Sequence, residues 1–267
     1  MTQTKIPPIL LVGFGKMGGA MLAGWREAGL APSIAVDPMR PASPGAELTV
    51  FADAGEIPAD FAPAAVILAV KPQSAAQTLP LYRRFAGQAV FLSIMAGRTI
   101  AGMEKLLGEA AIIRAMPNTP AAVRQGVTVG CPNAQVTAAQ RALCDRLLSA
   151  IGAVAWVDDE NLLDPVTAVS GSGPAYVFLL AELMEKAAIE QGIPADLARL
   201  LARQTVSGAG ALLAASPEET AQLRINVTSP KGTTEAALQV LMAPDALPKA
   251  LSAAIAAATQ RSRDLAG

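Results

Sequence analysis

Three glycines at fixed spacing, Gly13, Gly15 and Gly18, follow the apolar run Ile9-Leu-Leu-Val12 and constrain this chain more than any other feature. A short, branched, apolar run of that kind suits a strand buried on both faces. The glycines complete a GxGxxG turn, after which residues 17–28 continue as a helix. The first glycine permits a tight strand-to-helix turn, the second lets backbone approach a pyrophosphate, and the third lets the helix pack close to the strand. The helix N-terminus offers free N–H groups and positive dipole to phosphates. Glycine-rich turns are common, and it is the strand before and the helix after that mark this one as a dinucleotide motif. Asp37 adds a second cue. It ends the apolar stretch 33–36, 19 residues after Gly18, where a Rossmann unit places its ribose-binding acid.

With 267 residues the chain can bury a large core and suits one large or two modest domains. It is 52% hydrophobic and 16% charged, hence globular rather than disordered. A net charge of −1 gives no electrostatic case for nucleic acid or an anionic membrane. There is no histidine, which excludes Ser-His-Asp and Cys-His mechanisms and histidine-ligated metals. Cys131 and Cys144 show no CxxC pattern and read as buried or incidental thiols, so no metal site is expected. No small-residue cleavage pattern precedes the glycine turn, and no uninterrupted apolar run reaches the roughly 18 residues of a membrane helix. The expected compartment is the cytoplasm.

Strand-like runs alternate with helical segments through the first half. Further strands are expected at 48–51, within 62–70, and at 90–94, 111–116, 128–130 and 154–157. Helices are expected at 73–85, 99–107 and 137–150. That alternation argues an α/β fold with a doubly wound, mostly parallel sheet over residues 1–158. Ligands of such sheets bind at the loop ends of the strands, which marks Lys71, Ala96, Gly97 and the turn 116–120 as candidate pocket-liners.

After Asp158 and Asp159 strand signals vanish, and residues 159–267 read as an all-α domain. Helices are expected over 161–191, 194–214 and 235–241, with Gly192 stopping the first and Pro194 starting the second. Gly208 and Gly210 interrupt the second, at about 0.5–1 kcal/mol each relative to alanine, which close helix–helix approach would offset. So apolar a helical domain, with so few charges, suggests a face buried against a second copy of the chain. Two stretches resist explanation as packing. Ser170-Gly-Ser-Gly-Pro174 implies a turn or close backbone approach inside helical sequence. Val227-Thr-Ser-Pro-Lys-Gly-Thr-Thr234 is a hydroxyl-rich loop feeding a helix, suited to binding a carboxylate through N–H groups. Thr233 or Thr234 as an ordinary helix N-cap is the structural alternative.

Five segments in order, Gly13-Phe-Gly-Lys-Met-Gly18, Leu68-Ala-Val-Lys-Pro-Gln73, Arg114-Ala-Met-Pro-Asn-Thr-Pro120, 167–176 and Thr228-Ser-Pro-Lys-Gly-Thr-Thr234, resemble pyrroline-5-carboxylate reductase across nearly the whole chain. The resemblance implies an N-terminal dinucleotide domain and a C-terminal helical domain that interlocks two subunits as a homodimer, often within larger rings such as a decamer. It also implies the last step of proline synthesis, in which NADPH or NADH reduces the C=N bond of 1-pyrroline-5-carboxylate to give L-proline. On that resemblance Gly13, Phe14, Gly15, Lys16, Met17 and Gly18 would hold the pyrophosphate. Ala69, Val70, Lys71 and Pro72 would line the nicotinamide side, with Ala96, Gly97 and Asn118 nearby. Ser229, Gly232 and Thr233 would bind the substrate carboxylate, and Thr234 would point its hydroxyl at the imine nitrogen.

Such chemistry suits an enzyme without histidine, because the cofactor carries the hydride and the protein supplies orientation and electrostatics. Two positions depart from the family pattern. Lys231 stands where the loop commonly has glycine, which would alter its conformation or add positive charge near the carboxylate. Asp37 would bond the ribose hydroxyls of NADH and repel a 2′-phosphate, whereas Arg40 would favour that phosphate. The balance leans towards NADH. A related imine reductase and a non-catalytic NAD(P)-binding regulatory protein are the alternatives. The absence of lysine from 170–176 disfavours a 3-hydroxyacid dehydrogenase, and the intact 228–234 loop disfavours a pure sensor.

Overall fold

A computed structural model describes residues 5–39, 42 and 45–266. The first compact unit comprises the chain up to Gly171 and from Ala258 onward, and the second is Ser172–Ala257. The sequence boundary at 158/159 marks where strands end, but compaction ends later. After a turn at Glu160–Leu162, the segment 163–171 belongs to the sheet unit, with Leu163 and Ala168 fully buried there.

The sheet unit is α/β. Its strands are β1 (Ile9–Val12), β2 (Ser33–Val36), β3 (Leu48–Phe51), β4 (Ala65–Leu68), β5 (Val90–Ser93), β6 (Ile112–Met116), β7 (Gly126–Pro132) and β8 (Gly152–Trp156). They form one sheet in the order β3-β2-β1-β4-β5-β6-β7-β8, all parallel except the β6–β7 pair. Side chains alternate between two cores. Leu10, Val12, Val66, Leu68 and Phe91 face one side, and Ile9, Leu11, Ala65, Ile67 and Leu92 the other. Burial on both faces is why the four-residue runs of β1 and β4 are continuously apolar.

Helix α1 (Lys16–Glu27) covers one face with Met21, Leu22 and Trp25. The other face takes a segment that is mostly 3-10 turn, at Pro72–Ser74 and Leu79–Phe85, around the single turn α2 (Ala75–Thr78). The single helix that the sequence predicts at 73–85 does not form, because Pro80 lacks the N–H that an α-helix needs there. Helix α3 (Ile100–Leu107) joins that face. Helix α4 (Ala138–Ser149) packs Cys144, Leu147 and Leu148 beside α1, where the Trp25 indole donates to Leu147 O at 2.8 Å. Cys131 and Cys144 are free, buried, and in opposite cores. Burial pushes the Cys144 thiol up to about 12 and raises Cys131 as well, so neither is a ready nucleophile.

The single helix expected over 161–191 is broken. The turn α5 (Leu163–Val166) runs into a π-helical turn, Thr167–Gly171, and α6 (Gly173–Glu190) starts afresh with Pro174 in its first turn. Thr167 and Ser170 turn their hydroxyls back onto Leu163 O and Val166 O. In the second unit α6 is followed by α7 (Ala195–Ala215), α8 (Thr220–Asn226) and α9 (Thr233–Leu241). The last helix, α10 (Leu247–Ala266), begins there and ends in the first unit, where the Ser262 hydroxyl donates to Asp164 Oδ1 at 2.7 Å. Gly208 and Gly210 have open space where a Cβ would stand, with nothing among the described residues within 4 Å of that position. By length and composition the stretch 160–190 is apolar enough to cross a membrane, although Gly171, Gly173 and Pro174 interrupt it.

Candidate functional site

The cofactor candidates of the first unit gather at the C-terminal ends of β1, β2, β4, β5 and β6, around the point where strand order reverses between β1 and β4. Gly13 has φ +90°, a region L side chains rarely adopt, and a Cβ there would lie 2.7 Å from Ala69 O. The β1 and β4 loops therefore meet backbone to backbone. At Gly18 a Cβ would lie 2.7 Å from Gly13 O and touch the Leu11 side chain, which is the close helix–strand packing expected of the third glycine. Gly15 differs. It is the N-cap of α1 and has nothing within 4 Å of its Cβ position. Open space thus stands over the N-terminus of α1, where first-turn N–H groups lack helical partners. Phe14, Lys16 and Met17 complete the turn, with Lys16 exposed.

Asp37 follows β2 and is tied to this turn. Its Oδ2 accepts from Phe14 N–H at 2.7 Å and its Oδ1 from Met39 N–H at 2.9 Å. The carboxylate thus stands beside the phosphate turn, with lone pairs left for hydroxyl donors. Arg40, considered for a 2′-phosphate, lies outside the described residues. A carboxylate beside an open, glycine-lined helix N-terminus fits a dinucleotide's ribose and pyrophosphate.

Ala69 and Val70 continue from β4, and Ala69 N–H bonds Val12 O at 2.8 Å. Lys71 and Pro72 open the 3-10 turn, and Arg98 Nε donates to Pro72 O at 2.9 Å, joining this loop to the one after β5. That second loop carries Ala96, which is exposed, and Gly97, with φ +66° and the Leu265 carbonyl 3.0 Å from its Cβ position. Asn118 is committed to structure. Its Nδ2 donates to Ser170 O at 3.2 Å and its Oδ1 accepts from Val127 N–H at 2.9 Å, so it holds the π-turn against the start of β7.

The hydroxyl-rich loop lies in the second unit. Gly232 is the N-cap of α9, and with no side chain it leaves the first-turn N–H groups uncapped. Thr233 and Thr234 are therefore the first two residues of the helix rather than its cap. A Cβ at Gly232 would come 2.9 Å from Ser229 O, which accepts from Gly232 N–H at 3.0 Å. Lys231 has φ +59° and so keeps the left-handed backbone that a glycine adopts without strain, at a cost of about 1–2 kcal/mol. Its N–H donates to Glu235 Oε2 at 2.7 Å, which turns that carboxylate back onto the loop.

Two contributors had no sequence signal, Arg98 and Glu160, because their partners are distant in the chain. Glu160 binds Arg114 Nη1 at 2.8 Å and Ile100 N–H at 2.9 Å. Among the described residues no cluster of His, Cys, Asp or Glu could hold a metal ion.

A family model described as pyrroline-5-carboxylate reductase dimerisation matches residues 160–265. A pyrroline-5-carboxylate reductase of Pseudomonas aeruginosa is 40% identical over 271 aligned residues, which cover 97% of each chain. Among solved structures, a pyrroline-5-carboxylate reductase from Coxiella burnetii superposes with a TM-score of 0.87 at 32% identity, covering 97% of this chain and 98% of that one. A Plasmodium falciparum pyrroline carboxylate reductase with NADP bound gives a TM-score of 0.81 at 26% identity, over 99% and 100% of the two chains.

Proposed function

The chain belongs to the pyrroline-5-carboxylate reductase family, and on that premise we propose how its residues divide the work. The enzyme is an NAD(P)H-dependent oxidoreductase that reduces the C=N bond of 1-pyrroline-5-carboxylate to L-proline, the last step of proline biosynthesis. What carries this reading is similarity running through 97% of the chain, so that it takes in both the glycine turn and the Thr228–Thr234 loop.

NADPH or NADH, when bound, supplies the hydride. The Gly13–Gly18 turn holds the pyrophosphate on the N-terminus of α1, and Asp37 accepts from ribose hydroxyls. Ala69 to Pro72 and Ala96–Gly97 wall the nicotinamide side, and Asn118 acts behind them by holding the π-turn. In the second unit, N–H groups around Ser229, Gly232 and Thr233 take the substrate carboxylate. The Thr234 hydroxyl meets the imine nitrogen. A protonated imine is already electrophilic, so Thr234 orients it or passes a proton to water and need not be a strong acid. The chain is a homo-oligomer through its helical segment. We assign it a dimer of interlocked helical domains, with rings of such dimers up to a decamer as the larger assembly. The exposed apolar faces of α6 and α7 are read as protein interface rather than membrane surface, in a cytoplasmic enzyme that binds no nucleic acid.

Initial rates of NADH and NADPH oxidation with pyrroline-5-carboxylate test the assignment. Wild type is expected to turn over. Thr234→Ala is expected to lose roughly tenfold or more in kcat, the worth of one oriented hydrogen bond, with KM little changed because backbone N–H groups hold the carboxylate. A folded wild type that oxidises neither cofactor defeats the assignment in favour of a related imine reductase or a regulatory protein. A near-normal rate for the variant removes Thr234 from the imine.

Asp37 decides the cofactor ratio. Asp37→Asn keeps an acceptor for the turn but removes the charge facing a 2′-phosphate, and the NADPH-to-NADH ratio of kcat/KM is expected to rise about tenfold. An unchanged ratio would show that the carboxylate plays no part in discrimination.

A further inference from the structure

Arg114 and Glu160 form a pair that the chemistry above does not use. Arg114 stands on β6 and is only 5% exposed. Its Nη1 donates to Glu160 Oε1 at 2.8 Å, and the same carboxylate oxygen accepts from Ile100 N–H at 2.9 Å. Ile100 is the first residue of α3, and the opening N–H groups of a helix have no partner within it. Thr99, the N-cap, accepts from Gly102 N–H at 3.1 Å. Glu160 satisfies Ile100 from outside the helix, and a buried guanidinium holds Glu160 in place.

The junction so fixed is the far end of the loop that leaves β5 and carries Ala96 and Gly97. Its near end is held by Ile94 N–H on Leu68 O at 3.1 Å, and its middle by Arg98 on Pro72 O at 2.9 Å. We propose that Glu160 is a positioning residue for hydride transfer: by accepting from Ile100 N–H while paired with Arg114, it sets where α3 begins and thereby where the Ala96–Gly97 wall stands against the nicotinamide. This rests on the assignment of those two residues to the nicotinamide side. Hydride transfer is sensitive to such placement, since reacting atoms must approach within about 3–3.5 Å. A carboxylate suits both tasks, because its bonds to N–H groups are charge-assisted and only an anion also neutralises the buried arginine.

Two double variants separate the hydrogen bond from the ion pair. Arg114→Met with Glu160→Gln removes both charges and keeps an acceptor for Ile100. Arg114→Met with Glu160→Met has nearly the same shape and offers none. With both shown folded and assembled by thermal melting and light scattering, kcat of the second is expected to be at least about fivefold below that of the first. NADPH affinity, read by fluorescence titration, should agree within about twofold, since the pyrophosphate turn and Asp37 lie on other loops. Ile100→Pro deletes the same N–H and leaves the Arg114–Glu160 pair, at a helix position that proline tolerates. It should show the same loss of kcat at unchanged NADPH affinity, and it serves if the second double variant does not fold. Equal kcat in the two doubles, or wild-type kcat in Ile100→Pro, overturns the proposal. Absence of wild-type turnover would defeat the functional assignment instead, so the two failures are distinct.

Discussion

Gly13→Ala is expected to lower kcat/KM by more than about 100-fold with either cofactor, through lost cofactor binding. Two costs add. An L residue held at φ +90° is strained by about 1–2 kcal/mol. Its Cβ would also stand 2.7 Å from Ala69 O and 2.9 Å from Ala69 C, and both are backbone atoms that cannot rotate away. Relief requires the β1 and β4 loops to part, which moves Phe14 off Asp37 and opens the turn assigned to the pyrophosphate. About 2.7 kcal/mol suffices for a 100-fold loss, and strain plus displacement exceeds it. Gly108 supplies the control, since it has φ +83° and nothing within 4 Å of its Cβ position. Gly108→Ala should lose about 1–3 kcal/mol of stability, since its ψ of −157° lies in a region kept almost wholly to glycine, and keep its kcat/KM. Fluorescence titration with NADPH and thermal melting of both variants check the contrast. Cofactor affinity within threefold of wild type in Gly13→Ala would sink it.

What was readable in advance follows from how locally each feature is encoded. Strands β1 and β3 form at the residues expected and β2 fills the stretch before Asp37, because a short, mostly apolar run bounded by turn residues has few other ways to bury itself. The glycine turn was legible because its geometry depends on three residues within six positions. Strand β7, expected at 128–130, spans Gly126–Pro132, since Gly126 and Pro132 are poor strand formers that pairing with β8 and β6 holds in line. Thr233 and Thr234 were rival caps in the sequence, and the structure puts Gly232 in that position. Glu160 and Arg98 were silent, because bonds to Arg114, Ile100 and Pro72 obey no spacing rule. Ser170–Pro174 does interrupt the helix, but a π-turn held by the Asn118 amide is a long-range arrangement that no local pattern encodes.

Leu180→Asp combined with Leu183→Asp is expected to dissociate the oligomer and abolish turnover while leaving cofactor binding in place. Within Ser172–Ala257 only Ala198 and Ala202 are buried apolar residues among those described, whereas Phe178 is 68% exposed, and Leu179, Leu180, Leu183 and Leu200 are all at least half exposed. Two alanines cannot hold these helices together, because burying a single leucine contributes only about 1.5–3 kcal/mol and alanine much less. A second copy of the chain is therefore expected to stabilise this unit, in keeping with the dimerisation match over residues 160–265. Leu180 and Leu183 are three apart on α6 and share a face. In a twofold interface each substitution counts twice, so four carboxylates would be buried without partners. The sheet unit carries its own two-sided core and keeps the glycine turn. NADPH titration should accordingly stay within about threefold of wild type, while the Thr228–Thr234 loop loses the helices that support it. Sedimentation and initial rates on the same sample read both effects. A variant that remains oligomeric and active would mean that this face of α6 is not the one the partner covers. Loss of NADPH binding along with assembly would mean that the sheet unit, despite its own core, depends on the partner to hold its cofactor.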